Sequence, residues 1–250
     1  MTARDGQGTS ALQRISMSNH QRGFTLIEIA IVLVIIGLLL GGVLKGQELV
    51  TSARVRNLIS AQDGVKAAFF GFQDRFRALP GDYNQAAQNI ANMTTTCGGG
   101  NGNGNGVIDA NPVLESILAW EHLSKAGFIT GTFDCNTTES PTTTPTNPYN
   151  VFLQLVFDGA YGQGGTGAQR HNLKTGAQIP VEIIAEIDRK IDDGRPFSGA
   201  FQFSPYRGNA AAAPQVGGAA APSCANTAGP PQGTWNATGG ASNCGGALVF

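Results

Sequence analysis

Glu28 stands where an acid is costly. It lies at the start of the run Phe24-Thr25-Leu26-Ile27-Glu28-Ile29-Ala30, which continues without another charge to Val43. A carboxylate in a lipid-spanning helix costs on the order of 2.5–3.5 kcal/mol at the centre and less near an end. Its chemistry there is therefore ionic, and it calls for a cation or a set of hydrogen-bond donors. The second reactive set is Cys97, Cys135, Cys224 and Cys244, all C-terminal to the apolar run. None has C-x-x-C spacing, which argues against a zinc site or a thioredoxin-like motif, whereas an even count on an exported side suits disulfides. Three connectivities are possible. Cys97–Cys135 and Cys224–Cys244 are favoured because each pair brackets one loop-rich segment; free buried thiols are the competing reading.

A third set is Asn101, Asn103, Asn105, Gly106, Ile108 and Asp109, which loosely echoes the start of an EF-hand loop, with oxygens at alternate positions and Gly at the sixth. The twelfth position is Pro112 rather than Glu, and Asp109 is the one charge. A calcium site here is weak unless Glu115 or distant acids contribute, and a Gly-Asn turn run accounts for the same residues. Asp188, Asp192 and Asp193 gather around one helix end, where a solvated terminus explains them. His20, His122 and His171 are the only histidines, and no G-x-S-x-G, H-E-x-x-H, Walker A or dinucleotide fingerprint occurs. The expectation is a protein that is not an enzyme and needs no cofactor beyond, at most, weakly held calcium. Net charge is −1 and charged residues make up 13%, so no global field attracts nucleic acid. Arg170, His171 and Lys174 are the densest basic spot, and nucleic acid is not an expected partner.

The elements that must position these residues follow from periodicity. Phe24–Val43 is long enough, as a helix, to cross a hydrocarbon core of ~30 Å. Arg4, Arg14 and Arg22 precede it and predict a cytoplasmic N-terminus with a single pass. A secretory signal would have a shorter core and a small-residue exit, and an ordinary anchor would lack Glu28. Gly37, Gly41, Gly42 and Gly46 suit either close packing in lipid or local flexibility. Beyond them Val55, Leu58, Gln62, Val65, Phe69, Phe72, Phe76 and Leu79 form one helix seam, which Pro80-Gly81-Asp82 stops. A short helix is expected within 84–93, and another over Val113–Ala126 with Trp120 anchoring a core. Strands are expected at Phe128–Thr130, Val151–Phe157 and Phe197–Phe203. A further helix spans Pro180–Ile191, and Trp235 and Leu248-Val249-Phe250 join the sheet. Gly159–Gly167, Thr137–Pro148 and Gly208–Pro222 read as connectors.

Gly23-Phe24-Thr25-Leu26-Ile27-Glu28 resembles the prepilin processing site of type IV pilins and type II secretion pseudopilins. The likeness is strong over Arg22–Lys45, reasonable to Tyr83 and weak beyond. It implies cleavage after Gly23 by a prepilin peptidase, N-methylation of Phe24, and a role for Glu28 in neutralising a neighbouring subunit's terminal amine during assembly. A start at Met17 would leave a short leader of the kind common in the family. The implied fold is α+β: a long N-terminal helical spine, half transmembrane, on a small antiparallel sheet with extra helices and long loops. The implied parts are a leader (1–23), a transmembrane and assembly half of the spine (24–45), an amphipathic half (46–80) and a periplasmic globular domain (81–250). The expected function is a minor pilin or pseudopilin, a structural subunit of a type II secretion pseudopilus or a type IV pilus. Its partners would be other pilin subunits, the peptidase, an inner-membrane assembly platform and the bilayer. It would lie in the bacterial inner membrane and then in the filament. The competing expectation is a membrane-anchored periplasmic binding or adhesion protein that does not assemble.

Overall fold

A computed structural model describes residues 24–109, 114–217, 222–227 and 233–250. They fall into two compact units divided after Gln47. The first unit contains the N-terminal turns of helix α1, which runs Leu26–Phe76. From Leu26 to Lys45 every residue is exposed, because the segment is apolar on all sides and has no polar face to set against a core. The helix is long and apolar enough to cross a membrane. Gly37, Gly41, Gly42 and Gly46 do not interrupt it, and a Cβ at any of them would touch nothing among the described residues.

The second unit begins at Glu48. Here α1 buries one seam, Val55, Leu58, Gln62, Val65, Ala68, Phe69 and Phe72, with Phe76 and Leu79 half-buried at its end. The helix stops because Arg77 turns left-handed (φ 53°), its N–H still donating to the Gln73 carbonyl at 2.9 Å, and Pro80 follows. Three more helices are α2 (Ala86–Asn89), α3 (Glu115–Lys125) and α4 (Val181–Ile191). The strands are β1 (Gln154–Asp158), β2 (Arg170–Lys174), β3 (Phe201–Phe203), β4 (Ala225–Asn226), β5 (Thr234–Trp235) and β6 (Gly246–Val249). Four of them make an antiparallel sheet in the order β1-β2-β6-β3. The register sets Leu155, Leu173, Leu248 and Phe201 side by side across all four strands. All four are buried, and they share one core with the α1 seam. A one-residue slip of any strand would turn its member of that row away from the core. The fold is α+β and pilin-like, with a long helix and a small antiparallel sheet.

Several local expectations are corrected. The densest basic spot, Arg170–Lys174, is a central strand: Arg170 is exposed, whereas Lys174 is buried and its ammonium pairs with Asp158. Phe128–Thr130 is a turn. The Phe128 N–H caps α3 at the Leu123 carbonyl, and its ring lies where a Cβ on Gly71 would be, 2.9 Å away. Residues 151–153 precede β1, with Phe152 making only an isolated bridge to Thr146. Trp235 pairs with Ala225 in a separate two-stranded sheet. Disulfides join Cys97 to Cys135 and Cys224 to Cys244.

Phe72 is fully buried, 4.6 Å from the Phe76 ring and stacked on His122 at 5.9 Å. Phe72→Ala should cost about 3–5 kcal/mol in denaturant unfolding, whereas the exposed Arg56→Ala should stay within about 0.5 kcal/mol of wild type. Equal losses would mean that the seam does not hold the core.

Candidate functional site

Glu28 sits in the first turn of α1, and its carboxylate is not free. The Thr25 N–H and hydroxyl both donate to Glu28 Oε2 at 2.8 Å, and the Glu28 N–H donates back to Thr25 Oγ1 at 3.3 Å. This is a capping box, T-x-x-E, in which two otherwise orphaned backbone donors are satisfied reciprocally. The negative charge also lies at the positive end of the helix. Thr25 was not singled out from the sequence, although its spacing to Glu28 is the recognised signal for such a cap. Phe24 precedes the cap and is 83% exposed. Gly23, Arg22 and the rest of the leader, 1–23, lie outside the described residues.

Comparison with family models agrees with this geometry. Residues 18–44 match the prokaryotic N-terminal methylation motif. The chain carries the hallmark motif of type IV pilins and pseudopilins. Neither curated proteins nor solved structures yield a match. The prepilin-type motif thus covers the end of the leader, the capped acid and the apolar turns of α1. It fits a processed, membrane-anchored structural subunit.

The globular unit places the remaining chemistry-bearing residues around two polar centres. The first is α3. Glu115, Glu121 and His122 are fully buried on this helix and hold irregular chain. Glu115 accepts from the Asn103 and Asp109 N–H groups at 2.8 and 2.9 Å. Glu121 accepts from the Thr94 N–H and hydroxyl and from the Cys135 N–H at 2.6–2.9 Å. His122 Nδ1 accepts from the Gly81 N–H at 2.9 Å, and Nε2 donates to the Gly100 carbonyl at 3.2 Å. Burial pushes the Glu115 carboxyl above its usual range, against the pull of its two backbone donors, and nearby Asp82 and Asp109 add to the rise. Burial takes His122 down to about 4, the bond to Gly100 opposing it.

The Asn-Asp loop hangs from this centre. Asn101 Oδ1 accepts from the Ala87 N–H, Asn103 Oδ1 from the Asn105 N–H and Asn105 Oδ1 from the Val107 N–H. Asp109 Oδ2 accepts from the Asn105 amide at 2.7 Å, while Asp82 accepts from the Asn105 and Gly106 N–H groups. These oxygens already serve the loop's own backbone, as Asx turns do. Pro112 lies outside the described residues.

The second centre is Asp188, Asp192 and Asp193, whose carboxylate oxygens lie within 4.8 Å of one another. A solvated terminus was expected, but Asp188 is buried. Its Oδ2 accepts from the Trp235 indole N–H at 2.6 Å and its Oδ1 from the Gly194 N–H at 3.3 Å. Asp192 accepts from the Phe201 N–H at 3.0 Å, and Asp193 from the Arg195 N–H and the Ser198 hydroxyl. Burial raises Asp188 to about 7 against the pull of Trp235, with Asp193 adding to the rise.

The two centres give opposite pH dependences. His122 is neutral when folded, so its contribution is complete above pH 6.5 and is lost as pH falls through about 4. The loss is about 3 kcal/mol and should vanish from the pH profile of denaturant unfolding in His122→Asn. Asp188 has a raised folded pKa, so its contribution is complete below 3.8 and is lost as pH rises through about 7. Trp235 indole fluorescence should titrate with a midpoint of about 7, and Asp188→Asn should flatten it. Unchanged profiles in the variants would reject these assignments.

Proposed function

We propose that the protein is a minor pilin or pseudopilin, a subunit of a type II secretion pseudopilus or a type IV pilus. The observation that carries this reading is the prepilin-type motif at residues 18–44, with Glu28 capped at the head of an apolar helix. A prepilin peptidase would cut after Gly23, where the absence of a side chain lets a protease approach the backbone, and Phe24 would be N-methylated. The apolar turns of α1 hold the subunit in the bacterial inner membrane, with the N-terminus cytoplasmic and the globular unit periplasmic. An assembly platform then draws it into the filament. The residues that follow Gly23, 250 − 23 = 227 in this sequence, are already bulky for a repeating subunit, which supports a minor role.

The cap refines the part played by Glu28. In the single chain Thr25 already engages Oε2, so the acid of an undocked subunit is not bare. The charge therefore enters lipid with local donors and still carries a net negative charge. An ammonium from a neighbouring subunit's Phe24 would complete the neutralisation. Thr25 thus holds the carboxylate in position before assembly, and the neighbour discharges it.

Mass spectrometry of the N-terminus should find methyl-Phe24. An intact leader would favour an anchored protein that does not assemble. Glu28→Leu should insert in the membrane at wild-type level yet be depleted about tenfold or more from filaments, as expected from the loss of a paired charge worth 1.4 kcal/mol or more. Wild-type incorporation of that variant would reject the assembly role.

A further inference from the structure

The geometry points to a binding site for a neutral saccharide in a cleft of about 590 Å³ beside the C-terminal turns of α1. The volume is within the range of small-molecule sites, roughly 300–1,000 Å³. Its apolar side is a cluster of three rings. Phe70 meets Phe69 edge-on at 5.3 Å, and Phe250 lies 4.9 Å from Phe69 and 5.9 Å from Phe70. Phe69 is buried, but Phe70 remains 46% exposed.

The polar side is unfilled. The Gln73 and Asn84 side-chain amides make no hydrogen bond among the described residues. His171 Nε2 is buried without a partner, while its ring rests on Phe69 and Phe157. A buried ring nitrogen left unpaired is costly, but this one is shielded from solvent, so the two exposed amides are the groups the cleft offers.

The charges decide the ligand class. Arg77 is engaged by Asp74 at 3.3 Å, and both Asp82 oxygens accept backbone N–H bonds. The Asp82 carboxylate keeps its negative charge and Arg77 is the opposite charge in the lining, so the cleft carries no net formal charge to select an anion or a cation. A wholly apolar ligand would leave the two amides dry. A pyranose has one face of C–H groups to lie on Phe70 and a rim of hydroxyls that both donate and accept, which the exposed Gln73 and Asn84 amides can match.

The test uses the full chain in lipid nanodiscs, which contain no sugar detergent. Cellobiose, chitobiose and lactose are titrated by saturation-transfer NMR and calorimetry, with sialyllactose and indole as comparators. At least one neutral disaccharide should bind. Phe70→Ala should weaken it about tenfold, Gln73→Ala should weaken it measurably, and Glu186→Gln, outside the cleft, should not. Gln73 is exposed, so its variant carries the test should Phe70→Ala fail to fold. The proposal is overturned if no neutral disaccharide binds, if only sialyllactose or indole binds, or if binding is unchanged in Gln73→Ala. None of these outcomes bears on cleavage at Gly23 or on filament assembly.

Discussion

A carboxylate that enters lipid needs donors, and the Thr25–Glu28 cap supplies them within one helical turn. Much else in α1 depends on this pairing. The helix can begin at Leu26 with its first donors satisfied, and the turns that follow can be apolar on every side. An uncapped start would leave both an ionised side chain and backbone N–H groups bare in hydrocarbon, each costing several kcal/mol. One residue thus serves two ends: Thr25 starts the helix, and it holds the Glu28 carboxylate beside its own donors.

The same helix then changes its relation to its surroundings without changing conformation. Up to Lys45 its side chains are exposed all round, whereas from Val55 only one stripe is buried. That stripe fixes the sheet. Leu155, Leu173, Leu248 and Phe201 form a single row facing the core, so the seam and the strand register specify each other. Gln62 is the exception: it is buried in the seam with neither amide atom bonded. Such a side chain weakens the core, and an internal water is the usual remedy.

How far the sequence could be read depends on which residues carried periodicity. The spine, its seam and stop, α3 and α4 were legible because each repeats an apolar stripe at helical spacing. β2 was not. Its residues, Arg-His-Asn-Leu-Lys, hold a single aliphatic side chain, Leu173, so no hydrophobic alternation shows. Lys174 looked like surface charge because its partner, Asp158, is distant in sequence. The prepilin motif was legible as a motif. The hydrogen bonds that make Thr25 part of it were not inferred, although the T-x-x-E spacing was present. Asp188 was misread for a similar reason: Trp235, which buries it, lies far along the chain.

The globular unit uses charge where a regular sheet would use ladders. The chain from Thr94 to Asp109 has almost no regular structure, so its backbone groups need partners from elsewhere. Glu115 and Glu121 provide five acceptor contacts among them, and His122 ties the Pro80-Gly81 turn to Gly100. Burying two acids and an imidazole has a desolvation cost, visible in the raised Glu115 and the depressed His122. That cost is offset only while every donor stays in place, since a partly satisfied buried network is worse than an apolar one. The disulfide from Cys97 to Cys135 closes the segment next to Glu121, whose carboxylate also takes the Cys135 N–H. Covalent and polar constraints therefore act on the same residues: the bridge limits how far the loop can open, and the acids determine the conformation it keeps.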